Sequence, residues 1–486
     1  MSTTSTIKKN YAWNVILTIA GYVFPFLTFP YVSRVLGAEG VGNYQFADSV
    51  IRYFSVFAML GIRTVGIREV AKVKNNKEAL SQTFSSILVL NLFTTIAAIF
   101  VLVSLVNVIP SFLSHKRMLY VGVSRLLFEA LLIEWFFTGI EIFRYITIRS
   151  IIVRSVYVLS VFMFVRKPDD YLVYFVLTAL TTVVNAIINC VYSHHFVSFS
   201  FRSISIKPYV KPFITLGFYH IMTSMYMSLN VILLGNSCGD VEVGYYSTAT
   251  KLYGIIMSFF TAFTGVMMPR MSSLLSEGKT SEFKSMTNKS IDFLVLFCIP
   301  LIIISEVYAP QIIRLLSGSG FEGSIVPMRI VMPLMLIIGY EQILIIQMLT
   351  PMRKDTIILI NSCFGAGIAL ILNLTIVPKL ASIGSSIVWV CSEIAVLTSA
   401  QYFVIKFCGY TFPFMKIAKK LLWYFPAFAI CMVMNYFIKN WFISFLSGVF
   451  FTGLYFLIIE FFILKNAFLL ASINQIKNRL CPQKSH

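Results

Sequence analysis

The sequence predicts an all-α polytopic membrane protein of about 14 transmembrane helices. Two parallel six-helix lobes would surround a central cavity, followed by a C-terminal helix pair. Three observations predict this. Of 486 residues, 58% are hydrophobic and 12% charged, with a mean hydropathy of +0.83, whereas soluble domains carry about 25% charged residues. Apolar stretches of about 20 residues, the length that crosses about 30 Å of hydrocarbon, recur along the whole chain. Finally, the text around residues 34–55 returns 202 residues later.

The polar start MSTTSTIKKNYAW carries Lys8 and Lys9 and leads into an apolar run from Tyr11 to Val32. That run is too long for a signal-peptide core and reads as a retained first helix. Further spans are expected near residues 52, 94, 130, 156, 181, 223, 256, 298, 337, 367, 394, 429 and 453. They divide into a lobe at 1–205, a second at 206–410, and an extra pair with a basic tail from Lys465 at 411–486. Six spans per repeat make the halves parallel, related by an axis along the membrane normal. With both termini on one side, that side holds 26 basic residues and the other 8. This bias places both termini in the cytoplasm and gives the net charge of +19 a topological meaning, with no nucleic-acid partner. Eight scattered cysteines without a CxxC indicate neither a disulfide framework nor a metal site.

The second span opens with Gly37, Gly40 and Gly42, then sets Gln45, Asp48, Ser49 and Arg52 on one helical face. At the same offset Gly42 becomes Gly244 and Tyr44 becomes Tyr246, and the stripe becomes Ser247, Thr250, Lys251 and Gly254. A duplicated polar stripe reads as two walls of one cavity.

Ionisable side chains in the membrane are costly, about 2.5–3.5 kcal/mol each on insertion scales, so each needs a reason. Asp48 and Arg52, at i and i+4, either neutralise each other to lock a helix or present Arg52 to the cavity with Asp48 tuning it. Lys251 has no acid within one turn and reads as an anion-binding cation or a snorkelling lysine. Arg125 and Glu129 have pairing spacing, and Glu134 and Arg154 join them in a network tying spans four and five, with Arg149 placed at the interface. Glu341 and Glu393 are the deepest acids and, with Glu129, are candidates for coupling to H⁺ or Na⁺. Asp292 and Glu306 are expected near helix ends in water. His220, Thr223 and Ser224 give span seven a mixed stripe, and Pro25, Pro30, Pro269, Pro300, Pro327 and Pro333 mark expected bends.

PFLTFPYVSRVLGAEGVGNYQFA, GIRTVGIREVA, EWFFTGIEIFRYITIRSII and VGYYSTATKL resemble the polysaccharide-biosynthesis flippase family, within the superfamily of multidrug extruders and peptidoglycan-precursor flippases. The resemblance implies a transporter with no catalytic residues. Its cargo would be a polyprenyl-diphosphate-linked oligosaccharide, such as an O-antigen or capsule unit for lipopolysaccharide or polysaccharide biosynthesis. That cargo would move across the inner membrane by cation-coupled (antiporter-type) alternating access. Arg52 and Lys251 would clamp the diphosphate, with Asp48, Gln45, Ser49, Ser247, Thr250 and Arg125 around them. Expected partners are the lipid-linked substrate, membrane lipid and the polysaccharide polymerase machinery, the protein itself being a monomer without a resident cofactor. The rivals are a multidrug extruder of the same fold, whose pore would present acids, and a membrane glycosyltransferase or polymerase, which would need catalytic groups on larger loops. An uncoupled scramblase stays open as well.

Overall fold

A computed structural model describes residues 3–199, 204–225 and 228–464. The basic tail from Lys465 and the side chains of His220 and Thr223 lie outside the described residues. Within them the regular structure is entirely helical, as a bilayer requires of a chain that cannot leave backbone groups unpaired. Eleven helices are long and apolar enough to cross a membrane, against about 14 expected from the sequence. The expected first and second spans both fall in α1 (Thr3–Met59), two helical segments that meet at a break at Gly37, whose φ of 69° is open to glycine. Pro25 and Pro30 sit inside α1, yet the non-helical residue is the glycine.

GIRTVGIREVA, between the expected second and third spans, forms the amphipathic helix α2 (Ile62–Val73), with Ile62, Val65, Gly66 and Val70 buried and Arg63 and Arg68 exposed. Then comes α3 (Lys77–Val106), where Asn76 accepts hydrogen bonds from the Glu78 and Ala79 amides, capping two orphan donors. The short α4 (Pro110–Ser114) follows. The fourth expected span is broken into α5 (Lys116–Ala130) and α6 (Glu134–Gly139), with Ile133 left-handed between them. Its freed carbonyls find side chains. Asn91 Nδ2 donates to Ala130 O at 3.3 Å, the Cys190 thiol to Leu131 O at 3.5 Å, and Asn189 Nδ2 to Leu132 O. Next are α7 (Phe143–Phe164), α8 (Tyr171–Ser193), α9 (Lys207–Met225) and α10 (Ser228–Cys238).

The later helices are α11 (Asp240–Ser276), α12 (Thr280–Ser317), α13 (Ile325–Val331), α14 (Leu334–Gln342), α15 (Asp355–Thr375), α16 (Val377–Cys408), α17 (Phe414–Phe437) and α18 (Trp441–Ile458). Of the prolines expected at bends, Pro333 falls in the two-residue break between α13 and α14, while Pro269, Pro300 and Pro327 lie inside helices; Pro310 lies two residues after an irregular residue, Tyr308 in α12. Two π-helical stretches, Ile343–Leu349 and Ile459–Ile463, continue α14 and α18.

The chain clusters into two compact units. The first comprises Met1–Ser247, Leu316–Gly323 and Ala369–Val388; the second comprises Thr248–Leu315, Ser324–Ile368 and Trp389–His486. In the first, α1 packs on α3, α5, α7, α8 and α10, and an aromatic core of Phe84, Trp135, Phe136, Phe137 and Phe213 holds α2 against α6. In the second, α17 and α18 pack together and are fastened to α12. Lys420 Nζ donates to Asp292 at 2.9 Å, and Tyr308 Oη donates to Cys431 O at 3.1 Å. Asp292 is therefore ion-paired inside α12. The expectation of two solvated helix-end acids fails for Asp292, which lies well inside α12. Glu306 does sit near a helix end, two residues before the irregular Tyr308, but its Oε1 is buried and lacks a partner among the described residues.

Candidate functional site

The glycine bend frees the second half of α1 to take a new direction, and Val41, Phe46, Ala47, Val50, Ile51 and Phe54 bury it in the first unit. The polar stripe turns with the helix. Asp48 and Ser49 are buried, Gln45 is half-buried and Arg52 is exposed. Asp48 Oδ2 accepts from Arg52 Nε at 2.6 Å, and Oδ1 accepts from Arg125 Nη1 at 2.5 Å. One carboxylate thus bridges two guanidiniums, leaving the triad with a net charge of +1. The exposures decide the roles: 1% for the Asp48 side chain, 15% for Arg125 and 61% for Arg52. Asp48 is an internal acceptor, and Arg52 alone of the three keeps an open face of donors, its two terminal nitrogens.

Sequence spacing paired Arg125 with Glu129. The structure gives Arg125 to Asp48 instead, because α5 packs directly on α1. Glu129, half-buried, makes no ion pair among the described residues. Arg149, expected at an interface, is buried with its side chain 4% exposed; Nη2 donates to Glu134 Oε1 at 2.6 Å and Nη1 to Asn189 Oδ1. It therefore joins α7 to α6 and α8 at the helix break, the network the sequence suggested for spans four and five. Arg154, farther along α7, has a buried Nη1 with no hydrogen-bond partner among the described residues and lies against Gly21.

Aromatic rings flank the triad. Tyr44, one turn before Asp48, packs on Tyr174 with centroids 4.5 Å apart and on Phe175 at 6.0 Å. Tyr157 sits 6.4 Å from Tyr174. The sequence reading missed this cluster, although Tyr44 lies at i−4 from Asp48, a spacing that was available.

The duplicated glycines come together within the first unit. A Cβ on Gly42 would fall 1.7 Å from the Asp240 carbonyl oxygen, and one on Gly244 would fall 2.0 Å from the Ala38 carbonyl oxygen. Beside this crossing His115 Nε2 lies 3.0 Å from Asp240 Oδ1, with the Phe46 ring against the imidazole. Burial alone would lower the His115 pKa, but the Asp240 and Ser111 hydrogen bonds outweigh it and hold it above its ordinary 6.5.

Of the second stripe, Ser247 is buried in the first unit, while half-buried Thr250 and Lys251 belong to the second. The deep acids also lie in the second unit and meet one another: the Glu341 and Glu393 carboxyls are hydrogen-bonded neighbours. Trp389 Nε1 donates to Glu393 Oε1 at 3.0 Å, and the Tyr253 ring packs edge-on against Trp389 at 5.0 Å. Glu341 Oε2 is buried without a partner among the described residues. Glu341 closes α14 just before the π-helical Ile343–Leu349, a distortion that often marks functional sites.

Solved structures share this architecture. The chain is similar to lipid II flippase MurJ in an inward closed conformation, with a TM-score of 0.75 and 15% identity over 93% of this chain and 97% of that one. It is also similar to an inward-facing multidrug resistance MATE family transporter of the MOP superfamily, with a TM-score of 0.58 and 13% identity over 83% and 98% of the two chains. By sequence it is similar to a candidate O-antigen transporter of Escherichia coli (strain K12), 23% identical over 82% of this chain and 97% of that protein. A relative of the same description from Shigella dysenteriae is 24% identical over 57% of this chain and 70% of that protein. Residues 7–275, more than half of the chain, match the family described as polysaccharide biosynthesis protein, and to that family this chain belongs.

Proposed function

We propose that this transporter flips a polyprenyl-diphosphate-linked oligosaccharide, an O-antigen or capsule repeat unit, from the cytoplasmic to the periplasmic leaflet of the inner membrane. The observation that carries the reading is the triad. Asp48 is spent on Arg125 and Arg52, yet Arg52 retains an open guanidinium edge on a membrane-spanning helix. An unshielded diphosphate cannot cross hydrocarbon on a useful timescale. A planar fork of donors with net positive charge offers it charge-assisted hydrogen bonds in place of water. Lys251, at the equivalent position of the second repeat, would supply a second cation, and the half-buried Tyr44 and Tyr157 would offer ring surface to sugars. The names of the relatives, O-antigen transporter and lipid II flippase, support a cargo of this class.

Alternating access would require the Gly42–Gly244 crossing to part in one state and close in the other. The Glu341–Glu393 pair, in which two acids share one buried site, suits a bound H⁺ or Na⁺, with Glu129 as a further candidate. A multidrug extruder of the same fold remains the second reading, favoured by the MATE likeness; the net charge of the triad speaks for an anionic cargo instead.

Translocation of a fluorescent lipid-linked oligosaccharide in proteoliposomes tests the proposal. Arg52→Ala and Lys251→Ala are expected to abolish transport while leaving the protein inserted and folded, and Lys251→Arg to retain more activity than Lys251→Glu. Normal translocation by both alanine variants would remove the diphosphate clamp. Efflux of cationic dyes with no lipid movement would move the protein to the drug extruders.

A further inference from the structure

Away from the triad, the junctions before α3 and α7 and the last turn of α8 enclose two recesses that share Ile142. One, about 510 Å³, is a slot between α7 and α8 walled by Tyr145, Ile148, Ile152, Ile188 and Tyr192. Ile152 and Ile188 are both exposed, at 57% and 37%, and both helices are of membrane-spanning length and composition. The other, about 490 Å³, is polar and carries Lys74, Asn75, Lys77 and His195. Arg144 stands in the slot beside Ile142.

The charges at this rim are not all spent. Lys74 Nζ is paired with Glu141 at 2.8 Å, and Arg149 is consumed by Glu134 and Asn189. Lys77 and Arg144 are exposed and hold no ion pair among the described residues. Glu78, next to Lys77 in α3, lines neither recess. An apolar slot running about three turns along α7 thus leads up to two cations without ion pairs among the described residues, flanked by the Asn75 amide and an imidazole. In a bilayer a side-opening apolar slot is filled by a hydrocarbon chain, since lipid is the solvent there. The cations above it favour a negative headgroup.

We propose that this composite recess binds one anionic glycerophospholipid, with its phosphate against Lys77, Arg144 and Asn75 and one acyl chain between α7 and α8. The site is separate from the triad and does not depend on the identity of the cargo. It would fasten the α2–α3 and α6–α7 junctions to the membrane surface.

Native mass spectrometry of the intact protein, titrated in detergent with phosphatidylglycerol, phosphatidylcholine or a polyprenyl phosphate, tests it. One phosphatidylglycerol should be retained in preference to phosphatidylcholine. Lys77→Gln and Arg144→Gln should each weaken that retention about fivefold. Arg117→Gln, an exposed cation on another junction, should leave it unchanged. Ile188→Trp, which fills the slot, should remove the bound lipid, and an unchanged thermal midpoint of the two glutamine variants in lipid-free detergent shows the fold intact. Equal retention of the two phospholipids would overturn the proposal, as would equal weakening by Arg117→Gln. One-for-one displacement by the polyprenyl phosphate would assign the recess to transported lipid and overturn it too.

Discussion

Gly42 and Gly244, equivalent residues of the two repeats, cross reciprocally: each lies where a side chain would strike the carbonyl that precedes the other, at Asp240 and Ala38 respectively. Ala38 and Asp240 are themselves separated by the repeat offset. The contact is therefore two-fold in kind, as a self-complementary interface is, and both glycines are needed because backbone meets backbone. Gly42→Ala and Gly244→Ala should each weaken this crossing by about 1–3 kcal/mol, the usual cost of overpacking. In a background lacking the native cysteines, a thiol at position 38 (Ala38→Cys) should react faster with a membrane-impermeant maleimide in either variant. Unchanged labelling would mean that the crossing tolerates a methyl group.

Asp48 and Arg52 should separate stability from transport. Asp48→Asn leaves the largely buried Arg125 guanidinium without its counter-charge, which typically costs about 3–5 kcal/mol. It should lower the thermal midpoint in detergent sharply. Arg52→Ala removes an exposed partner worth no more than about 1 kcal/mol, so its midpoint should stay near the unaltered protein's while translocation falls. Equal midpoints for both variants would contradict the burial order of the triad.

The His115–Asp240 contact should respond to pH. The His115 pKa is raised above 6.5 where the contact is made, so the contact contributes its full stabilisation below about pH 6.5 and loses it as pH rises through the raised value. The groups facing the imidazole are Asp240, the Ser111 carbonyl, the Ser114 hydroxyl and the Phe46 ring, and Asp240 is the acid among them. Maleimide labelling at position 38 should accelerate with rising pH, and Asp240→Asn should flatten that profile. A profile identical in Asp240→Asn would exclude His115 as its source.

The helix break at Leu131–Ile133 depends on borrowed hydrogen bonds. Asn189 serves both the Leu132 carbonyl and Arg149, whereas Asn91 serves the Ala130 carbonyl alone. Leaving a buried polar group unsatisfied costs about 1–3 kcal/mol, and more when it is charged. Thermal unfolding should show Asn189→Ala to be the more damaging, with Asn91→Ala milder.

Glu341→Gln and Glu393→Gln should each change how transport depends on pH or Na⁺ in proteoliposomes while leaving lipid-linked substrate binding measurable. If both variants keep the dependence of the unaltered protein, coupling lies elsewhere, with Glu129 the next acid to change.

Much of this was legible in order along the chain. Composition and span length fixed a helical membrane protein, and the repeat announced itself through Gly42, Gly244 and the two stripes. Asp48 and Arg52 declared their pairing by spacing, since i and i+4 on a helix are neighbours whatever the surroundings. Arg125 did not. Its local partner Glu129 had the same spacing, and only the packing of α5 on α1 made Asp48 the nearer carboxylate. Arg149 looked interfacial from its position at a helix start, and became a buried linchpin because a break in a neighbouring helix left groups for it to hold.

The sequence by itself determined the solvent of each segment, the duplication and the local pairs, because hydrophobicity and helical periodicity act over a few residues. The tertiary structure alone decided which carboxylate neutralises which guanidinium, that the paired glycines touch, and that Glu341 meets Glu393. Those choices are made by side chains from distant segments, in a medium where a buried charge takes whichever counter-charge the packing delivers.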